Sequence, residues 1–232
     1  MNTNSNTYTI VYASVIVIVV AFLLAFVSSS LSERIGKNVE LDKKKQILSS
    51  LNIDYSKMSD TEVAATYAET VKQDLILNAA GEQLAENGGF DVEVKDENLK
   101  DLDDRQLPLY CCQVNGETKY VFPLRGAGLW GPIWGYIALN ADKDEVFGVY
   151  FSHESETPGL GAEITNEKFK SQFPGLHIRR NGQLSYLSVL KKGKVDENAD
   201  QVDAITGGTM TSNGVDAMIK DGLSQYANFL NK

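Results

Sequence analysis

Four hydroxyl side chains crowd the segment DAITGGTMTS, residues 203–212: Thr206, Thr209, Thr211 and Ser212, with Gly207 and Gly208 between the first two. An apolar stretch follows at once. Val215, Met218, Ile219, Gly222, Leu223, Tyr226 and Leu230 recur at steps of three and four, the spacing of one helical face. A glycine turn that opens a helix leaves backbone N–H groups pointing outward, and the helix dipole adds partial positive charge there, so such a point binds anions. Surrounding hydroxyls supply further donors for a phosphate. Thr211, Ser212 or Asn213 acting as helix cap accounts for one or two of the hydroxyls. It leaves Thr206 and Thr209 unassigned. The residue types point to a phosphate-bearing ligand near Gly207 and Gly208.

Two other stretches combine unusual residues. GAGLWGPIWGY, residues 126–136, sets Leu129, Trp130 and Trp134 among glycines and a proline, and reads either as a hydrophobic turn plugging the core or as part of a site. In SHESETPGLGAEI, residues 152–164, Pro158 lacks an N–H and restricts Thr157, so a strand cannot easily continue. Leu160 stands between two glycines that offer it little cover, which suits a leucine presented to something flat; a solvent loop with one buried leucine is the plainer alternative.

Side-chain-driven chemistry finds little support. The chain has no G-x-G-x-x-G after a strand, no phosphate-binding P-loop, no H-E-x-x-H and no C-x-x-C, and His153 and His177 are its only histidines. Cys111 and Cys112 are adjacent, which is neither metal spacing nor a workable disulfide; they read as small residues of a strand. A net charge of −9 argues against a nucleic-acid surface. Any chemistry is expected to belong to a cofactor.

The elements that position these residues are legible in outline. Residues 10–27, IVYASVIVIVVAFLLAFV, carry no charge, and a helical run of about 18 or more residues crosses a ~30 Å hydrocarbon core. No Lys or Arg precedes the run, and it exceeds a signal-peptide core in length, so a retained anchor is expected. The expected division is a tail over 1–9, a transmembrane helix over 10–31, a juxtamembrane helix and linker over 32–58, and a soluble domain over 59–232. Ser59-Asp60-Thr61-Glu62 has the form of a capping box opening a helix through Val63, Tyr67 and Val71. LPLYCCQV and KYVFPL flank Asn115-Gly116, a hairpin dipeptide, and IWGYIAL and EVFGVYF flank NADKD. LSYLSVL reads as a further strand and NEKFKSQF as a short helix. The fold class is α+β, an antiparallel sheet with flanking helices behind one N-terminal span.

At this level the residues resemble a known family. Asp203-Ala204-Ile205-Thr206-Gly207-Gly208-Thr209 is similar to the Asp-x-x-Ser/Thr-Gly-Ala-Thr pattern of the FMN-binding domain family, and TMTSNGV, GLWG (128–131) and ETPGLG (156–161) continue the match. Gly208 departs from the pattern, standing where the family usually has alanine. The resemblance implies covalent FMN, joined to Thr209 by a phosphoester that a dedicated flavin transferase installs. It implies that Thr206, Gly207, Gly208, Thr211 and Ser212 support the phosphate or cap the helix, and that Glu156, Thr157, Leu160, Leu129 and Trp130 lie near the ring.

Motif order behind a single span resembles the C subunits of Na+-translocating NADH:quinone oxidoreductases; LDKKKQIL and YLSVLKKGK favour these over the G subunits of Rnf-type complexes. The implied role is one-electron relay among the subunits of a bacterial inner-membrane complex, with NADH admitted elsewhere and lipid around the span. A membrane-tethered flavin-binding or sensor module without turnover is the rival reading. Arg34, Lys37 and Lys43 to Lys45 all follow the span, a charge distribution that favours a cytoplasmic domain. The resemblance implies an extracytoplasmic domain from about Ser32 onward, and large domains translocate with little regard to such charge.

Overall fold

The structure is a computed structural model that describes residues 5–191, 193–194, 196 and 199–232; residues 1–4 of the expected tail lie outside this set. Helix α1 runs Asn6–Ser50. Packing divides the chain into two units, Met1–Lys43 and Lys44–Lys232. In the first, the apolar part of α1 reaches a mean hydropathy of 3.1 over 18 residues, none of them buried, so it is long and apolar enough to cross a membrane. The division falls ahead of the 58/59 boundary expected from sequence. Ile47, Leu48 and Leu51 are the reason: all are buried within the second unit.

In that unit the capping box forms, with Ser59 Oγ accepting from the Glu62 amide and Glu62 Oε2 accepting from the Ser59 amide at 2.7 Å. It opens α2 (Asp60–Thr70), which stops before Val71. Val71 was expected on the helix, but it starts β1 (Val71–Leu77) and pairs with Cys112, a β-branched residue captured by a long-range partner. β1 joins β2 (Gln83–Ala85), β3 (Leu107–Val114), β4 (Glu117–Ala127), β5 (Pro132–Asn140) and β6 (Val146–His153) in one antiparallel sheet of order β2-β1-β3-β4-β5-β6. Both expected hairpins are present, and Asn115 and Gly116 take the positive φ values, 53° and 84°, that a tight turn demands.

Alternation along the strands builds a core on each face. Ile133, Ile137 and Leu139 of β5 join Phe122 and Leu124 on one side. Tyr136 and Ala138 join Val121, Ile47 and Leu51 on the other. Helix α3 (Val94–Glu97) lies between β2 and β3, and α4 (Glu167–Lys170) forms within NEKFKSQF. Then come β7 (Arg179–Arg180), β8 (Gln183–Leu184), β9 (Ser188–Leu190), β10 (Gln201–Asp203), α5 (Thr209–Ser224) and α6 (Ala227–Leu230). The expected strand LSYLSVL is broken between β8 and β9: Tyr186 takes a φ of 54°, and the Ser185 and Tyr186 amides both donate to the Ile178 carbonyl.

Helix α5 covers the first face through Val215, Met218, Ile219 and Leu223, all buried. β9 and β10 pair in parallel and deliver the chain to its start, and Asp216 Oδ1 accepts from the Val189 amide at 2.8 Å. Phe122, fully buried, meets Tyr226 edge-on at 4.9 Å between ring centroids. Phe122→Ala is expected to destabilise the second unit by about 3–5 kcal/mol, read as a lower urea midpoint. A loss below about 1 kcal/mol would mean that this face of the sheet carries little of the core.

Candidate functional site

The segment that carries the hydroxyls makes a tight turn and enters α5 three residues earlier than a Thr211 cap, and four earlier than a Ser212 cap, would allow. Gly208 is the N-cap residue, Thr209 the first helical residue, and no side chain caps the helix. Among the described residues, the amides of Thr209, Met210 and Thr211 have no partner, since the first helical bond runs from the Ser212 amide to the Gly208 carbonyl at 2.9 Å. The first turn holds no acidic residue. Thr209 is exposed, and its hydroxyl has no hydrogen-bond partner among the described residues. The helix end thus presents three free donors and partial positive charge beside a free hydroxyl.

Thr211 and Ser212, expected as phosphate ligands or caps, are both buried. Thr211 Oγ1 donates to Glu156 Oε2 at 2.5 Å, and Ser212 Oγ accepts from the Ile205 amide at 3.0 Å, closing the turn from inside. Asp203 also has a structural part: its amide donates to Gln172 Oε1 at 2.9 Å and its Oδ1 accepts from the Gly193 amide at 3.1 Å. Thr206 faces a neighbouring groove of about 650 Å³ with Asp203, Ile205 and Phe169. The four hydroxyls that share one stretch of sequence therefore separate in space: one at the helix mouth, two inside, one around the corner.

A cleft of about 140 Å³ opens at the Thr209 end of α5. Its walls are Leu129 and Trp130 from the β4–β5 turn, Glu156, Thr157, Leu160 and Gly161 from the segment after β6, and Gly207 to Thr211. All five residues expected near a flavin ring are among them. Leu129, Trp130, Leu160 and Met210 are exposed by 51%, 66%, 43% and 60%, so four large apolar side chains rim one small opening. Met210 and Gly161 escaped the sequence reading. Only its place next to Thr209 could have drawn attention to Met210, whereas Gly161 closes a motif already singled out. Gly207 takes a φ of 80°, and a side chain there would strike Leu160. At Gly208, an alanine methyl would lie 3.0 Å from Ile205 Cγ2, so the glycine suits the isoleucine beside it.

Glu156 is buried. Its Oε1 accepts from the Trp130 amide at 2.8 Å, its Oε2 takes the Thr211 hydroxyl, and its own amide donates to His153 Nδ1 at 3.2 Å. Burial pushes its carboxyl upward. Hydrogen bonds from Thr211 and from the Trp130 and Leu129 amides outweigh that and hold it below the usual carboxylate range.

An uncapped helix end beside an exposed threonine, rimmed by apolar side chains on an antiparallel sheet, can take a phosphate at one end and a flat apolar ring at the other. Residues 128–224 match the FMN-binding domain family, which sets the class. Over 80% of its length the chain is 31% identical to the C subunit of Na+-translocating NADH-quinone reductase from Pasteurella multocida, spanning 77% of that protein. It is 29% identical to the Pseudomonas aeruginosa C subunit over 100% of its length and 98% of the relative's. A crystal structure of the C subunit from Parabacteroides distasonis matches it with a TM-score of 0.80 at 40% identity, covering 87% of this chain and 98% of that one. The chain belongs to the family of Na+-translocating NADH-quinone reductase C subunits.

A depressed carboxyl stabilises the fold above the ordinary glutamate range, and that contribution is lost as pH falls through the lower folded-state value. Urea midpoints measured from pH 7 towards pH 3 should therefore show the wild type losing its advantage over Glu156→Gln as acid is added. An advantage that stays constant across that range would show that the carboxylate charge contributes nothing to the fold.

Proposed function

We propose that this chain is the membrane-anchored flavoprotein subunit of a Na+-translocating NADH-quinone reductase, carrying FMN as a phosphoester on Thr209 Oγ and relaying electrons one at a time within that complex. The observation that carries the reading is the free Thr209 hydroxyl at the uncapped start of α5, inside an apolar rim. The amides of Thr209, Met210 and Thr211 would hold the phosphate. Leu129, Trp130, Leu160 and Met210 would lie against the ring and keep water from it, with Thr157 at the edge. Bound there, FMN supplies the redox chemistry; the protein supplies attachment, orientation and polarity. A separate flavin transferase makes the bond, and the other subunits donate and accept the electrons.

Peptide mapping of the chain purified from its own membranes is expected to find the flavin phosphate on Thr209, and Thr209→Ala should yield colourless protein. Modification at Thr206 would overturn the assignment, as would flavin lost completely on denaturation.

Residues 10–31 serve as the span in this reading, with the N-terminus inside and the second unit extracytoplasmic, despite the Lys and Arg that follow the span. A phosphatase fused after Lys232 should be active. A silent phosphatase, with a fluorescent cytoplasmic reporter at the same position, would place the domain inside.

A further inference from the structure

The family resemblance sets Glu156 near the flavin ring, yet both of its carboxylate oxygens are committed elsewhere. Oε1 holds the Trp130 amide, 26 positions back in the chain, and Oε2 holds the Thr211 hydroxyl, 55 positions ahead. The carboxylate sits in a seat shaped for it: a methyl on Gly128 would run into Oε1, and one on Gly161 into Oε2 and Thr211 Oγ1. Its amide is anchored separately on His153. Thr211 is the third residue of a helix that has no acid in its first turn. Glu156 therefore brings negative charge to the start of α5 from another part of the fold.

We propose that Glu156 is a positioning residue: its ionised carboxylate ties the 128–131 turn and the 156–161 loop to the first turn of α5, and so sets the gap in which the cofactor on Thr209 lies. This rests on the flavin reading above. Each wall reaches the cleft from a different strand end, and Leu129 and Trp130, Leu160, and Met210 each ride on one of the three tied segments. Without the tie, the two loops keep their own turns and the packing of Leu160 against Gly207 and Gly208, but the apolar rim loses the side-chain hydrogen bonds that fix its spacing. The charge has a second effect. A carboxylate behind the cleft opposes the arrival of an electron on the ring, so it lowers the reduction potential.

The test uses the full-length chain produced together with a flavin transferase. Thr211→Val is expected to slow flavin incorporation roughly tenfold, about the worth of one charge-assisted hydrogen bond, and to move the bound-flavin absorption towards that of free flavin. Thr211→Ser restores the hydroxyl and should restore both readouts. Glu156→Gln keeps the shape and removes the charge, so it should raise the flavin midpoint potential even where attachment is complete. If Thr211→Val fails to fold, Glu156→Gln alone decides the matter. Wild-type incorporation, spectrum and potential in both Thr211→Val and Glu156→Gln would overturn the positioning role and leave the flavin reading standing. Failure of Thr211→Ser to rescue would overturn the hydroxyl tie. A wild-type chain with no flavin on Thr209 overturns the flavin reading, and this role with it.

Discussion

The close approach of α5 to β4 decides where everything in the cleft falls. At Gly214 the helix comes so near the Ala127 carbonyl that no side chain would fit between them. Along the rest of its length Val215, Met218, Ile219 and Leu223 bury into the sheet, each worth about 1.5–3 kcal/mol. Tyr226, just beyond the helix, donates to the Pro108 carbonyl at 2.7 Å, and Asp216 holds β9 from the other side. A helix held this way cannot slide, so its first turn must emerge beside the 128–131 turn. Thr209 is thus placed by an apolar stripe that lies wholly downstream of it.

Glu156 turns that adjacency into a defined site. Two loops and a helix end that merely pass near one another would leave a shallow and variable dent. The carboxylate takes donors from the turn and the helix while its own backbone belongs to the loop. Four exposed apolar side chains are thereby kept at the mouth of one opening.

Much of this could be read from local sequence where the determinant is itself local. The Ser59–Glu62 box, the Asn115-Gly116 turn and the alternation in IWGYIAL depend on residues a few positions apart, and they appear as expected. The apolar steps from Val215 to Leu230 mark α5 for the same reason. Val71 is different, because its conformation is decided by Cys112 across the sheet. The hydroxyl of Thr211 is different too. A threonine next to a glycine turn looks like a cap or a ligand until its partner, Glu156 from a distant loop, is known. Thr206 and Thr209 are three positions apart and face different depressions, a separation produced by the turn at Gly207.

The rim of the cleft also bears on the chain before any cofactor reaches it. Leu129, Trp130, Leu160 and Met210 gather at one opening, and a contiguous apolar surface of this kind is adhesive in water. A flat ring laid against them would cover that surface, so loading the cofactor would also act as a solubilising event. Chains that outrun the supply of flavin would meet one another through this spot, and colloidal behaviour during biogenesis would follow the progress of maturation.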